Sequence, residues 1–136
     1  MNIRRLLVAL VVLMLAGCSG LLPLPAPPPS QNAGVLSLLD QADRQTAAGQ
    51  LPAAGASLER ALRIEPRNPV LWQKLAQVRL EQGGYRQAEN LAEKSNALAP
   101  GNHRLRAENW RIIGQARQRL GDQAGADAAL QRMEAE

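Results

Sequence analysis

Residues 35–66 superpose on residues 69–100 at an offset of 34, which sets Gly49 on Gly83, Leu51 on Tyr85, Ala54 on Ala88, Ile64 on Leu98 and Pro66 on Pro100. Self-similarity at a period of this size marks a stack of supersecondary units, none of which can bury its apolar face alone. It restricts the fold more than any other feature of the chain. A third copy follows at an offset of 38, with Trp110 on Trp72, Ile113 on Leu75, Gly114 on Ala76, Gly121 on Gly83 and Ala126 on Ala88. Pro66 precedes Trp72 by six residues and Pro100 precedes Trp110 by ten, so four residues are inserted ahead of the third copy. Four residues make about one helical turn. The fifth helix is therefore expected to carry an extra first turn that projects beyond its neighbours.

Local signals divide each copy into two helices. Asn68 followed by Pro69 reads as a cap and first helical residue, Asn102 as the cap of the fifth helix and Asp122 as that of the sixth. Gly49, Gly83 and Gly121 fall where each first helix has to stop, and glycine tolerates the left-handed backbone needed there. Leucine, alanine, glutamine and arginine dominate the chain and phenylalanine is absent, which favours helix. The expected fold is all-α, with six helices at roughly 33–48, 52–64, 69–82, 86–98, 103–120 and 123–134.

Small residues at fixed helical positions with a period of 34 resemble the tetratricopeptide repeat. The second copy carries Trp72, Leu75, Ala76, Tyr85, Ala88 and Pro100 of that pattern, and Trp110 opens a W-x2-I-G in the third. The resemblance covers about residues 34–136 and implies a solenoid of about three helix-turn-helix repeats, at 35–68, 69–102 and 103–136. The first copy departs from the pattern. It lacks the tryptophan and holds Gln41 where leucine is expected.

Residues 1–17 begin with Arg4 and Arg5, continue with the apolar run LLVALVVLMLA from Leu6 to Ala16, and end on Gly17. Eleven apolar residues are too few to cross a bilayer, which takes about 20 in a helix, so the segment reads as a secretory signal peptide. Leu15, Ala16, Gly17 and Cys18 resemble the lipobox of bacterial lipoproteins. By that resemblance Cys18, the only cysteine, becomes the lipidated first residue of the mature chain. Ser19 in place of aspartate after it implies the periplasmic face of the outer membrane. Residues 18–32 then form the lipidated cysteine and a linker. Five of the nine prolines fall in SGLLPLPAPPPSQN, an extended spacer of about 3.1 Å per residue. The same residues as a PxxP ligand are the sharper and poorer reading. Residues 33–136 make the repeat domain.

No arrangement for catalysis emerges. His103 is the only histidine and sits beside arginines at the start of a helix, where a solvated ring is expected. Neither cysteine nor carboxylate neighbours at ligand spacing point to a metal. Gly83–Gly84 lacks the Lys-Ser/Thr of a phosphate loop, and Glu89 and Glu93 with Arg86 and Lys94 read as a solvated helix face. Trp72, Tyr85 and Trp110 read as packing residues. Neither a cofactor nor a small-molecule substrate is implied. The formal charge of +4 falls to +2 once residues 1–17 are set aside, since Arg4 and Arg5 belong to them. That is a poor footprint for nucleic acid.

What remains is a surface for protein. The resemblance places the first helix of each repeat on the concave side, and its groove positions fall on Leu36, Leu39, Asp43 and Thr46, then Gln73, Gln77 and Glu81, then Arg111, Gln115, Gln118 and Arg119. The groove is expected to run from apolar and slightly acidic to basic and amide-rich. Five arginines, Arg104, Arg106, Arg111, Arg117 and Arg119, face one acid, Glu108, on the fifth helix. An acidic peptide or a free carboxylate suits that end. The lipobox, short spacer and small repeat domain together resemble the outer-membrane lipoprotein activators of bifunctional class A penicillin-binding proteins in pseudomonad-type bacteria. That resemblance implies an inner-membrane peptidoglycan synthase as partner. The alternative is an assembly lipoprotein, of the pilotin type or of another envelope complex.

Overall fold

The structure is a computed structural model that describes residues 29–136. The signal segment, Cys18 and most of the spacer lie outside the described residues. Six helices follow one another: α1 (Ala33–Ala47), α2 (Leu51–Ile64), α3 (Pro69–Glu81), α4 (Tyr85–Leu98), α5 (His103–Arg119) and α6 (Gln123–Glu134). Every boundary falls within one residue of the sequence reading. Successive helices pack as antiparallel pairs, α1 on α2, α3 on α4 and α5 on α6, and α3 and α5 also touch. This is the expected three-repeat stack.

Side chains set the helix starts. The Asn32 carboxamide oxygen accepts from the Gly34 and Val35 amides at 2.9 and 3.1 Å, Asn68 from Val70 at 3.0 Å, Asn102 from Leu105 at 3.1 Å and Asp122 from Gly125 at 2.9 Å. Each satisfies an amide that the first turn leaves without a helical partner. The turn inside each repeat is the same device used three times. Gly49, Gly83 and Gly121 take φ of 71°, 80° and 83°, and the next residue donates back across the turn, Gln50 to Gln45, Gly84 to Arg79 and Asp122 to Arg117, at 2.8, 2.8 and 2.9 Å. This is the Schellman closure, which favours glycine at the left-handed position.

The core forms two adjoining clusters. Val35, Leu38, Leu39 and Ala42 lie at helical spacing on α1 and pack on Leu58, Ala61 and Leu62 of α2 and on Leu71, Leu75 and Val78 of α3. Ala76, Ala88, Ala92, Ile112, Ile113 and Ala129 form the second, with Trp110 against it, and half-buried Leu91 touches both. At Gly114 a Cβ would stand 3.5 Å from the Ala126 carbonyl oxygen.

A polar cluster is buried beside this apolar packing. The Ser95 hydroxyl donates to the Pro69 carbonyl at 2.8 Å, while the Asn109 amide donates to Ser95 Oγ at 2.8 Å and to Asn96 Oδ1 at 2.9 Å. It ties α4 to the start of α3 and to the second turn of α5. The exposed flanks of the two end helices carry polar side chains, Ser37, Asp40 and Arg44 on α1 and Gln123, Asp127, Gln131 and Glu134 on α6, beside exposed Leu36 and Leu130. Terminal units of a stack need such faces. No helix among the described residues is long and apolar enough to cross a membrane.

The last residues of the proline-rich stretch join the folded unit. Buried Ser30 donates to Glu65 Oε1 at 2.6 Å and accepts from the Asn32 amide at 2.9 Å. Asn68 Nδ2 donates to the Pro29 carbonyl and to Glu65 Oε2, both at 2.7 Å. The chain is thereby fastened to the α2–α3 turn before α1 begins.

Candidate functional site: the face of α1, α3 and α5

The first helices of the three repeats are joined by polar contacts across one face. Lys74 Nζ reaches Asp43 Oδ1 at 2.6 Å, Gln73 Nε2 donates to the Leu105 carbonyl at 3.2 Å, and Arg111 Nη2 donates to Gln77 Oε1 at 3.5 Å. Gln77 Nε2 in turn donates to Glu81 at 2.9 Å, and Arg111 Nη1 donates to Gln115 at 3.2 Å. α5 has 17 residues against 13 in α3 and 15 in α1, so its added first turn extends this face.

Three recesses open along it. One of about 520 Å³ is lined by Gln77, Leu80, Glu81, Tyr85, Gln115, Gln118 and Arg119. A smaller one of about 160 Å³ has Asp43, Thr46, Lys74 and Gln77 on its walls. The third, of about 230 Å³, lies among Gln73, Asn102, Arg104, Leu105 and Glu108. Nearly all the groove positions read from the sequence thus border a recess or bond to a residue that does.

Leu39 is a correction. It is 4 % exposed and belongs to the first core cluster, because the stripe 35, 38, 39, 42 of α1 is the one pressed on α2 and α3. Leu36 stays on the surface at 37 % exposure. Lys74 and Tyr85 line the recesses without having been placed in the groove, and Arg104 and Glu108, read only in the charge balance of the fifth helix, line one too. Tyr85 opens α4 beside the glycine turn, which was the signal available.

The five arginines of α5 do not all serve this face. Arg117 Nε binds Glu89 Oε1 at 2.7 Å, with Glu93 3.5 Å from Nη2, and Arg117 also donates to the Gly125 carbonyl at 3.3 Å. Glu89 and Glu93 are therefore partners of α5 rather than an unattached solvated face. Arg106 is tied to Glu136 at 2.7 Å. Arg117 thus ties α5 to α4 and Arg106 is paired with the residue two beyond α6, while Arg104, Arg111 and Arg119 are without an ion pair among the described residues. The basic character of the face is carried by these three. The described residues contain no group of three or more histidine, cysteine or carboxylate side chains placed to hold a metal ion.

Comparison with known proteins places this geometry. The tetratricopeptide-repeat family profile matches residues 45–108. The globular C-terminal domain of LpoP from P. aeruginosa is 45 % identical, with a TM-score of 0.74, over 77 % of this chain and 99 % of that one. The chain belongs to the tetratricopeptide-repeat family and to the LpoP branch of it. The N-terminal domain of stress-induced protein-1 (STI-1) from C. elegans shares the fold alone, at 18 % identity and a TM-score of 0.70 over 76 % of this chain and 87 % of that one. No curated protein matches the sequence. In a tetratricopeptide array the repeats supply a rigid scaffold, and what the array does is set by the side chains on its faces.

Proposed function

We propose that this LpoP-like chain is a lipoprotein of the outer membrane, anchored through Cys18 on the periplasmic side, that binds a bifunctional class A penicillin-binding protein and favours its active state. The observation that carries this reading is the 45 % identity to the LpoP domain along nearly its whole length. A pseudomonad domain related in that way is what the resemblance in layout calls for. The lipobox before Ser19 supports the anchor, since acyl chains contribute about 0.8 kcal/mol per buried methylene and several together hold a protein on the membrane.

The domain acts by contact. Gln77, Gln115 and Gln118 offer paired amide donors and acceptors suited to a peptide backbone, and Arg104, Arg111 and Arg119 suit carboxylates. Activation through such a surface requires that the synthase's active state bind it more tightly than the resting state. The anchored spacer is short, so the synthase's periplasmic part has to cross the wall mesh to meet the domain. The test is glycan polymerisation and crosslinking by a purified bifunctional synthase in detergent, with and without the lipid-free chain, residues 19–136. A rise in product that saturates with added chain is expected. An unchanged rate at saturating chain removes the activator role.

A further inference from the structure

The two tryptophans of the repeat motif do not bond alike. In the second repeat Trp72 Nε1 donates to the Pro66 carbonyl of the preceding turn at 2.8 Å. In the third repeat the four-residue insertion has moved the preceding turn away and replaced it with helix. Trp110 Nε1 donates instead to Glu136 Oε1 at 3.2 Å. The added turn supplies His103 and Arg106, which stand with Trp110 at i, i+3 and i+7 on one stripe of α5. Arg106 reaches the same Glu136 oxygen through Nε at 2.8 Å and Nη2 at 2.7 Å, and His103 Nδ1 lies 3.2 Å from Oε2. The Arg132 guanidinium lies 4.8 Å from the centroid of the Trp110 ring. One guanidinium, one indole N–H and one imidazole converge on a single carboxylate, the donor set that recognises such a group.

We infer that His103, Arg106 and Trp110 form a carboxylate-binding cradle for an acidic peptide segment of a protein partner, with Glu136 as an internal occupant that the partner's acidic side chain displaces. The stripe lies roughly a third of a turn around α5 from Arg104, Arg111 and Arg119, so it is a second site beside the groove. Glu136 follows the end of α6 at Glu134. Its backbone is held by one long bond, from its amide to the Met133 carbonyl at 3.4 Å. It can swing out without unwinding the helix. His103 keeps 69 % of its side chain exposed, Arg106 26 % and Glu136 11 %, so Glu136 fills the cradle and an incoming segment reaches it from the His103 side as Glu136 leaves. A short tether presents its own carboxylate at an effective concentration on the order of millimolar. That competition sets the affinity for any outside acid.

The inference is independent of which protein the groove binds. Its test uses the lipid-free chain, residues 19–136, labelled with nitrogen-15, and a synthetic peptide with consecutive glutamates beside its glutamine counterpart. In Glu136→Ala the Trp110 indole N–H resonance is expected to move saturably with the glutamate peptide, at least tenfold more tightly than in the unaltered chain. The Trp72 indole stays still, and the glutamine peptide has no effect. Adding Arg106→Ala abolishes the response. A folded Glu136→Ala chain, with Glu136→Gln as the conservative check, whose Trp110 indole ignores the glutamate peptide overturns the inference and leaves Glu136 as a structural clasp. Equal movement at Trp72, or an equal response to inorganic phosphate, overturns it as well.

Discussion

Trp72 and Trp110 occupy equivalent places in consecutive repeats, yet one indole N–H is satisfied by the Pro66 carbonyl at 2.8 Å and the other by the Glu136 carboxylate at 3.2 Å. The difference traces to four inserted residues. They lengthen α5, take away the backbone acceptor, and put a histidine and an arginine where the turn would have been. A change in length has become a change in chemistry on one flank of the stack.

The first prediction concerns acid. Hydrogen bonding to Arg106, aided by Trp110 and His103, pulls the Glu136 carboxyl down to about 2, and Ser30 followed by Asn68 lowers that of Glu65. Folded values below the unfolded carboxylate value of about 4.3 mean that both groups stabilise the fold above that pH and lose the effect as pH falls through their folded values, which for Glu136 lies at about 2. Trp110 fluorescence is expected to change across that interval, and melting temperature to fall with it. In Glu136→Gln the Trp110 component of the change disappears; a transition of the same size in that variant would assign it elsewhere.

Core truncation follows from burial. Leu58 and Leu71 are fully buried and meet in the first cluster. Leu58→Ala or Leu71→Ala is expected to cost about 2–5 kcal/mol in urea unfolding, from lost transfer free energy plus a cavity.

Asn68 has two roles, since it caps α3 and holds Pro29 and Glu65. Asn68→Ala is expected to cost about 1 kcal/mol for the cap, a fall of about 4–8 °C in Tm for a domain near 100 residues. The variant also frees the Pro29 carbonyl, so amide exchange at residues 30–32 speeds up. Unaltered exchange there would contradict the tie between spacer and turn.

Ser95 and Asn109 belong to one buried network. Ser95→Ala takes the side-chain donor from the Pro69 carbonyl and leaves one buried N–H of the Asn109 amide without its acceptor, at a cost of about 1–3 kcal/mol. A double-mutant cycle with Asn109→Ala is expected to show coupling above about 0.5 kcal/mol. Additive losses would mean that the two act separately.

Much of this fold was legible because local chemistry repeats. Asn68, Asn102 and Asp122 cap, Gly49, Gly83 and Gly121 close turns, and the offset between Trp72 and Trp110 measures an insertion. The face was legible less evenly. Position within a repeat put Leu39 in the groove, but the stripe of α1 that includes Leu39 turns inward with Val35, Leu38 and Ala42. Arg106 and Arg117 looked like surface charge because their acids lie 30 and 28 residues away in sequence. Ser95, Asn96 and Asn109 carried no signal at all, since buried polar residues on a helix read the same as solvated ones.

Charge reversal tests the groove apart from the cradle. Arg111→Glu with Arg119→Glu alters the recesses bordered by Gln77, Glu81, Gln115 and Gln118 and leaves both cores untouched. Helical circular dichroism is expected to be unaltered while affinity for the synthase falls by tenfold or more. Full retention of affinity would move the docking site off this face.

The most direct measurement is binding itself: the lipid-free chain titrated against an immobilised, detergent-solubilised bifunctional class A penicillin-binding protein. Saturable binding that the unaltered chain shows and the Arg111→Glu, Arg119→Glu variant has lost is the predicted result. No binding by the folded, unaltered chain at high micromolar concentration would contradict the account.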